Sequence, residues 1–321
     1  MPRARFSLTG STGLGWPQFV EAATTAEQLG FYGFYPSDHL YLPGRAPSDD
    51  YMDALTGIAA LAPLTSTLRL GVMVAGNVFR HPVMLTKIAT TIDHASSGRM
   101  ELGIGAAWDE AECLIYGIPF PPPKERVARL RDAARVIKGL WTNDATTLDS
   151  PYYPLKAAPL FPKPIQRPHP PLIVGGGGNS TLRTAAEFAD EWNYIGPFSS
   201  AGERNARLDT LCAEYGRDPT DIRRSVVLNL HLTSSAAEAE SVIEEVAVRM
   251  RTIGNASSDL LGLPNDRLAR ETTLIGGPTE VAEQIERWVG LGIDHLAFFT
   301  PRPFDRPMLD RFATEVMPIF A

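Results

Sequence analysis

Glycines clustered at one point of the chain give the clearest chemical signal. A short apolar run, Leu172 to Val174, leads into the letters GGGGNST, and a helical pattern follows at once. Glycine lets successive backbone N–H groups turn to one side, and a helix start adds unpaired N–H groups and a positive dipole end. The segment therefore predicts an anion cradle whose usual occupant is phosphate, with a bare tight turn as the alternative. Its members are Gly175, Gly176, Gly177, Gly178, Asn179, Ser180 and Thr181.

The best acid–base candidate is His39, because an imidazole titrates near neutrality. Asp38 precedes it and is a candidate for orienting its ring. Neighbouring residues on a strand point to opposite sides, so the two side chains need not touch, and a simple strand-end cap is the alternative. Neither metal-binding nor serine-nucleophile motifs occur. A phosphate cradle with few ionisable groups suits a phosphate-bearing organic cofactor that carries the hard chemistry itself.

Eight short apolar segments alternate with helical patterns and must position these residues. Apolar strands that alternate with helices suit a parallel sheet covered by helices, and eight units in about 300 residues predict a (β/α)8 TIM barrel. A doubly wound sheet is the alternative. The predicted strands cover residues 5–8, 33–35, 69–75, 100–104, 172–174, 191–195, 225–232 and 295–299.

Two segments interrupt this alternation, after the fourth and the seventh predicted strands. Residues 144–171 contain many prolines and predict an extended excursion rather than a helix or a central strand. Residues 251–273 are polar and predict either a functional lid or an irregular surface insertion. Both are interpreted as insertions into one domain that spans residues 1–321.

Composition narrows the class of protein. The chain has 321 residues, of which 44% are hydrophobic and 21% charged, and a net charge of −7 argues against nucleic-acid and membrane partners. Cys113 and Cys212 are the only cysteines, so no disulfide framework or cysteine metal site is predicted. The N-terminus lacks the apolar core of a signal peptide. We expect a cytoplasmic enzyme acting on a small molecule.

An ordered series of motifs runs along nearly the whole chain. It includes GFYGFYPSDHL from Gly30, RLGVMVAGNVFRHP from Arg69, ASSGRMELGIGAAWDEAE from Ala95, PKPIQRPHPPLIVGGGG from Pro162 and GGPTEVAEQI from Gly276. This series resembles the luciferase-like monooxygenase superfamily, in the branch of oxidoreductases that use the deazaflavin coenzyme F420. The resemblance implies a barrel that binds F420 or FMN at its carboxyl-terminal mouth, usually as a homodimer.

The resemblance also assigns roles to residues. It places the cofactor phosphate on the loop from Gly175 to Thr181. The cofactor ring then lies on a bulge after the third strand, often with a non-proline cis peptide, near Met73, Val74 and Ala75; Gly105, at the end of the fourth strand, is assigned to the cofactor site with them. The Asp38–His39 pair favours F420 over FMN.

One position departs from the family pattern. Related sugar-phosphate dehydrogenases have a catalytic glutamate after the fourth strand, where this chain has Trp108. A tryptophan offers a flat apolar wall to ring or substrate. The prediction is therefore hydride transfer between F420 and an unidentified small organic substrate. An FMN-dependent monooxygenase and a non-catalytic flavin-binding protein are the alternatives.

Overall fold

A computed structural model describes residues 3–10, 13–41, 50–253, 261–299 and 304–321. Its strands are Arg5–Thr9 (β1), Gly33–Tyr35 (β2), Arg69–Gly76 (β3), Met100–Gly105 (β4), Thr146–Leu148 (β5), Leu155–Ala158 (β6), Leu172–Gly175 (β7), Glu191–Tyr194 (β8), Arg223–Leu232 (β9), Thr273–Gly276 (β10) and His295–Phe299 (β11). Its helices are Trp16–Gln28 (α1), Ala54–Leu61 (α2), Pro82–Ala95 (α3), Glu110–Ile115 (α4), Pro123–Thr142 (α5), Asn179–Phe188 (α6), Phe198–Glu214 (α7), Ala236–Ile253 (α8), Asn265–Arg270 (α9), Pro278–Gly290 (α10) and Arg306–Glu315 (α11).

Eight parallel strands close into a barrel, as the sequence predicts. The order runs β1, β2, β3, β4, β7, β8, β9 and β11, and β11 pairs back onto β1. Helices pack outside: on α10, the apolar side chains of Val281, Ile285 and Trp288 are buried. Each such side chain contributes about 1.5–3 kcal/mol when fully buried. None of the helices in the described parts of the chain is long and apolar enough to cross a membrane.

Both interruptions have structure of their own. The proline-rich excursion forms a separate two-stranded sheet from β5 and β6 and contains cis peptides before Pro162 and Pro168. The polar segment 251–273 includes helix α9, while its residues 254–260 lie outside the described part of the chain.

An additional strand, β10, begins at the last residue of this segment and was not predicted as a strand. It pairs with the last four residues of β9, while the first part of β9 pairs with β11. The side chain of Gln284, on α10, contacts Ile275 of β10. Its amide oxygen accepts the N–H of Ile275 at 3.2 Å, and its amide nitrogen donates to the C=O of Ile275 at 2.9 Å.

The amino-terminal end of the barrel, here called the barrel floor, is filled with paired charges. Glu101 is fully buried and accepts hydrogen bonds from the hydroxyls of Tyr32 and Tyr35, both at 2.7 Å. Two arginines also contact its carboxylate. On the far side, His295 lies between Glu191 and Ser7. Burial and the Glu101 charge raise the pKa of Tyr32 to about 12. The floor consists of Ser7, Tyr32, Tyr35, Arg69, Glu101, Glu191, Arg223 and His295.

Candidate active site

The predicted anion cradle lies at the opposite end, where β7 meets α6. Strand β7 ends at Gly175, and α6 starts after Gly178, an N-cap residue without a side chain. The first turn of α6 carries no acidic residue, so its N–H groups and positive dipole end are not neutralised from within the helix. Gly176 has φ +129°, a conformation that L side chains rarely adopt. These features fit an anion such as phosphate.

A second glycine pair, Gly276 and Gly277, lies at the start of α10 and differs from the cradle because an acidic residue bonds its backbone. Here the N–H of Gly277 donates to Oε2 of Glu280 at 2.9 Å. A Cβ on Gly276 would clash with the same carboxylate. This helix start is therefore satisfied by its own acid, whereas the cradle on α6 has no such residue.

A bulge in β3 shapes the top of the barrel lumen. The Met73–Val74 peptide is cis, and the register with β4 shifts between Val72 and Ala75. The side chain of Val74 rests against glycines of two neighbouring strands: a Cβ on Gly105 or Gly175 would lie 2.7 or 2.9 Å from its methyl groups. These glycines leave space for Val74, which forms a partly exposed apolar platform.

The bulge and the cradle are parts of one site. Gly105 and Gly175 are register partners on the adjacent strands β4 and β7, and Val74 touches both positions. The structure thus brings together two features that lie about one hundred residues apart in the sequence. A cofactor with a flat ring and a phosphate fits them: Gly175 to Thr181 would hold the phosphate, and Val74 would support the ring.

His39 follows β2 at the same end of the barrel and is held by a residue from another loop. Its Nδ1 lies 2.9 Å from Oε2 of Glu112, which is almost fully buried. Its ring meets Trp108 edge to face, with 5.8 Å between the centroids. Trp108 is 49% exposed, so it presents an accessible apolar surface beside the histidine.

Asp38, the sequence candidate for orienting His39, has a different partner. Its Oδ2 accepts hydrogen bonds from Nη1 of Arg80 at 2.7 Å and from the N–H of Gly76 at 3.2 Å. The other end of the Arg80 guanidinium contacts Asp53, the N-cap residue of α2. Burial raises the pKa of Asp38, and Arg80 offsets only part of that effect. Asp38 therefore ties the loop after β2 to the end of β3 and to the loop that follows it.

Glu112 is the residue that sequence reasoning did not assign. It lies 73 positions from His39, on the six-residue helix α4, whose N-cap Asp109 accepts from the N–H of Glu112 at 3.1 Å. The only signal in the sequence is a group of acidic residues, Asp109, Glu110 and Glu112, that follows Trp108 and does not align with the family glutamate. In the structure, Glu112 is the member of this group that contacts His39.

Comparisons with known proteins bear on the family and the fold of this chain. Residues 3–295 match the family model of the luciferase-like monooxygenases. An F420-dependent glucose-6-phosphate dehydrogenase of Intrasporangium calvum is 28% identical, over 94% of either chain. The F420-dependent tetrahydromethanopterin reductase of Methanopyrus kandleri has a similar fold, with a TM-score of 0.83, 18% identity and full coverage of both chains. A monooxygenase from Streptomyces bottropensis gives a TM-score of 0.82 at 22% identity, over 99% of this chain and 100% of that one.

Proposed function

We propose that this chain, which belongs to the luciferase-like monooxygenase family, is an F420-dependent oxidoreductase that transfers hydride between the deazaflavin and a small organic substrate. The observation that carries the proposal is the union of an acid-free glycine cradle with the Val74 platform across β4 and β7. Its relatives at similar length, F420-dependent glucose-6-phosphate dehydrogenases, support the choice of cofactor.

Each part of the site has a role in this proposal. The bound deazaflavin supplies two-electron hydride chemistry at its ring carbon. The backbone from Gly175 to Thr181 binds the phosphate, and Val74 sets the plane of the ring. His39 exchanges a proton with the substrate oxygen, while Trp108 excludes water from one side of it.

In the described part of the mouth, the structure presents an apolar wall rather than a free cation beside His39. Arg80 is the only lysine or arginine in the described parts of the loops that join the barrel strands to the helices after them. Both ends of its guanidinium are engaged by Asp38 and Asp53. Trp108 adds an apolar wall beside His39. We therefore do not extend the sugar-phosphate substrate of the relatives to this chain.

A parallel fluorescence titration of the cofactor-free protein with F420 and FMN tests the cofactor. We expect preference for F420 and loss of affinity for an analogue without the phosphate. Preference for FMN would instead support the family alternative, an FMN-dependent monooxygenase. Binding of neither would contradict the assigned cradle.

The alternative of a non-catalytic flavin-binding protein is tested at His39. In an enzyme, His39→Ala lowers kcat about 10²- to 10⁴-fold, the usual contribution of a general acid–base group, while F420 still binds. The assay offers F420 with 2-propanol, a neutral secondary alcohol, and with glucose 6-phosphate. Cofactor binding with no turnover by either the wild type or the variant, across a broader alcohol and carbonyl panel, would support the binding protein.

The proposal also includes one domain over residues 1–321, a homodimer and a cytoplasmic location, as expected from the sequence and the family. Light scattering on a sizing column tests the homodimer, which requires twice the mass of one chain. The mass of a single chain would contradict it.

A further inference from the structure

We propose that Glu112 is the positioning residue that fixes the tautomer of His39, so that the proton sits on Nδ1 and Nε2 is the nitrogen that exchanges a proton with the substrate. Only the part of this inference that concerns the reaction rests on the proposed function. The tautomer is a property of the protein alone and can be tested without cofactor or substrate.

The hydrogen bonds around Glu112 determine which partner donates. Its Oε1 accepts the backbone N–H of Leu40, in a short contact, and of Tyr41, at 3.1 Å. Two backbone donors favour the ionised form of a carboxyl group. An ionised carboxylate can only accept hydrogen bonds, so Nδ1 of His39, 2.9 Å from Oε2, must be the donor.

The surroundings hold this pair rigidly. The side chain of Glu112 is 1% exposed, and that of His39 is 17% exposed. The Asp109 cap fixes the first turn of α4, and the ring edge contact with Trp108 limits rotation of the imidazole. Because Glu112 binds both the ring and the backbone just after it, this one side chain joins the loop following β2 to the helix following β4.

The consequence for the reaction concerns one proton. As an alcohol is oxidised, its C–H bond breaks and the hydride, with both electrons, passes to the deazaflavin. The O–H bond breaks as well, the C=O bond forms, and the proton moves to Nε2 of His39. The negative charge of Glu112 lies against the ring that has gained this positive charge, as in an orienting carboxylate–histidine pair. In the reverse reaction, Nε2 returns the proton.

The variant Glu112→Gln reverses this arrangement with little change of shape. The amide oxygen still accepts from Leu40 and Tyr41, but the amide nitrogen now donates to Nδ1. The neutral ring must then carry its proton on Nε2, where it cannot accept one. Glu110→Gln is the matched control, because Glu110 lies on the same short helix and is exposed.

Nitrogen NMR of protein labelled at the histidine rings gives the decisive readout. Signals that vanish in His39→Ala identify this ring among the six histidines. At about pH 9, where imidazole is neutral, we expect the wild type and Glu110→Gln to carry the proton on Nδ1. We expect Glu112→Gln to carry it on Nε2. A wild-type ring protonated on Nε2 would overturn the inference, even if the variant failed to fold.

Kinetics supply the second readout, with the substrate that the panel identifies. We expect kcat of Glu112→Gln to fall about 10²- to 10⁴-fold, with a changed pH profile. The affinity for F420 should change less than about threefold, since Glu112 is not part of the cradle. An unchanged kcat and pH profile would overturn the inference. A protein that binds no F420 yet shows the Nδ1–H tautomer would contradict the proposed function and leave this assignment intact.

Discussion

The two ends of the barrel use polar groups in opposite ways. At the barrel floor, buried carboxylates face arginines, tyrosines and a histidine, and the charges are enclosed by the strands that carry them. At the mouth, the structure presents glycines, an acid-free helix start and a half-exposed Trp108. The floor satisfies its groups internally, so it stabilises the barrel. The mouth leaves donors and surfaces for a ligand, as in other barrels of this type.

Removing one charge from the floor gives the largest expected effect on stability. Glu101→Gln leaves Arg69 and Arg223 with an uncharged partner in a buried site. Breaking such a pair costs about 3–5 kcal/mol in free energy of unfolding, measurable by urea denaturation. F420 affinity per folded molecule should not change, because the two ends are separate.

The exposed Glu110→Gln variant at the mouth serves as the control and should stay within about 0.5 kcal/mol of the wild type. If Glu101→Gln lowered the free energy of unfolding by less than about 1 kcal/mol, the floor would not have the stabilising role assigned to it. A parallel loss of F420 affinity would show that the two ends are coupled.

Adding a side chain to the cradle should have the opposite effect: it should lower the affinity for F420 and leave the stability of the fold nearly unchanged. In Gly177→Val, a Cβ would lie 3.3 Å from Tyr194, a tight contact, and the branched chain would crowd the backbone N–H groups. Loss of one charge-assisted hydrogen bond, about 1.5–3 kcal/mol, predicts a Kd for F420 about 10- to 100-fold higher in the fluorescence titration.

Gly290→Ala is the control for this variant, because a Cβ there meets nothing within 4 Å. It should leave the Kd unchanged. Normal binding of both F420 and FMN by Gly177→Val would show that the phosphate lies elsewhere.

Acid should affect the floor gradually and only at low pH. Burial alone would raise the pKa of Glu191, but His295 and Arg223 overcome it and hold the pKa at about 2, below its ordinary value of 4.5. The carboxylate therefore stabilises the folded state above pH 4.5, and this contribution is lost as the pH falls toward 2.

Urea denaturation between pH 6 and 2 measures this loss. Glu191→Gln should be less stable at neutral pH and show a shallower pH dependence than the wild type. An equally steep dependence in the variant would assign the acid sensitivity to other carboxylates.

The sequence predicted the parts of the fold that depend on local pattern. Strand–helix alternation predicted the eight barrel strands, and the glycines before α6 located the cradle. Contacts between distant loops could not be read in this way. The Glu112–His39 bond spans 73 positions, and nothing local distinguishes Glu112 from Glu110 until α4 has formed and buried one of them.

Two further differences between the predicted and the observed structure also arise from contacts between distant parts of the chain. Asp38 is adjacent to His39, yet the loop after β3 brings Arg80 to its carboxylate. Strand β10 has only four residues beside a polar segment, and its pairing with β9 supplies the order that its own composition does not.

The Gln284 side chain has a consequence for how copies of this protein behave beside one another. Ile275 turns its backbone N–H and C=O away from β9, and such a pair at the edge of a sheet is a template on which a strand of another chain can add. The Gln284 carboxamide bonds both groups at once, as a neighbouring peptide group would, and Arg270 donates to the same carbonyl at 3.2 Å. Because Ile275 is also fully buried, the edge of this short strand is closed to intermolecular β-sheet growth and aggregation.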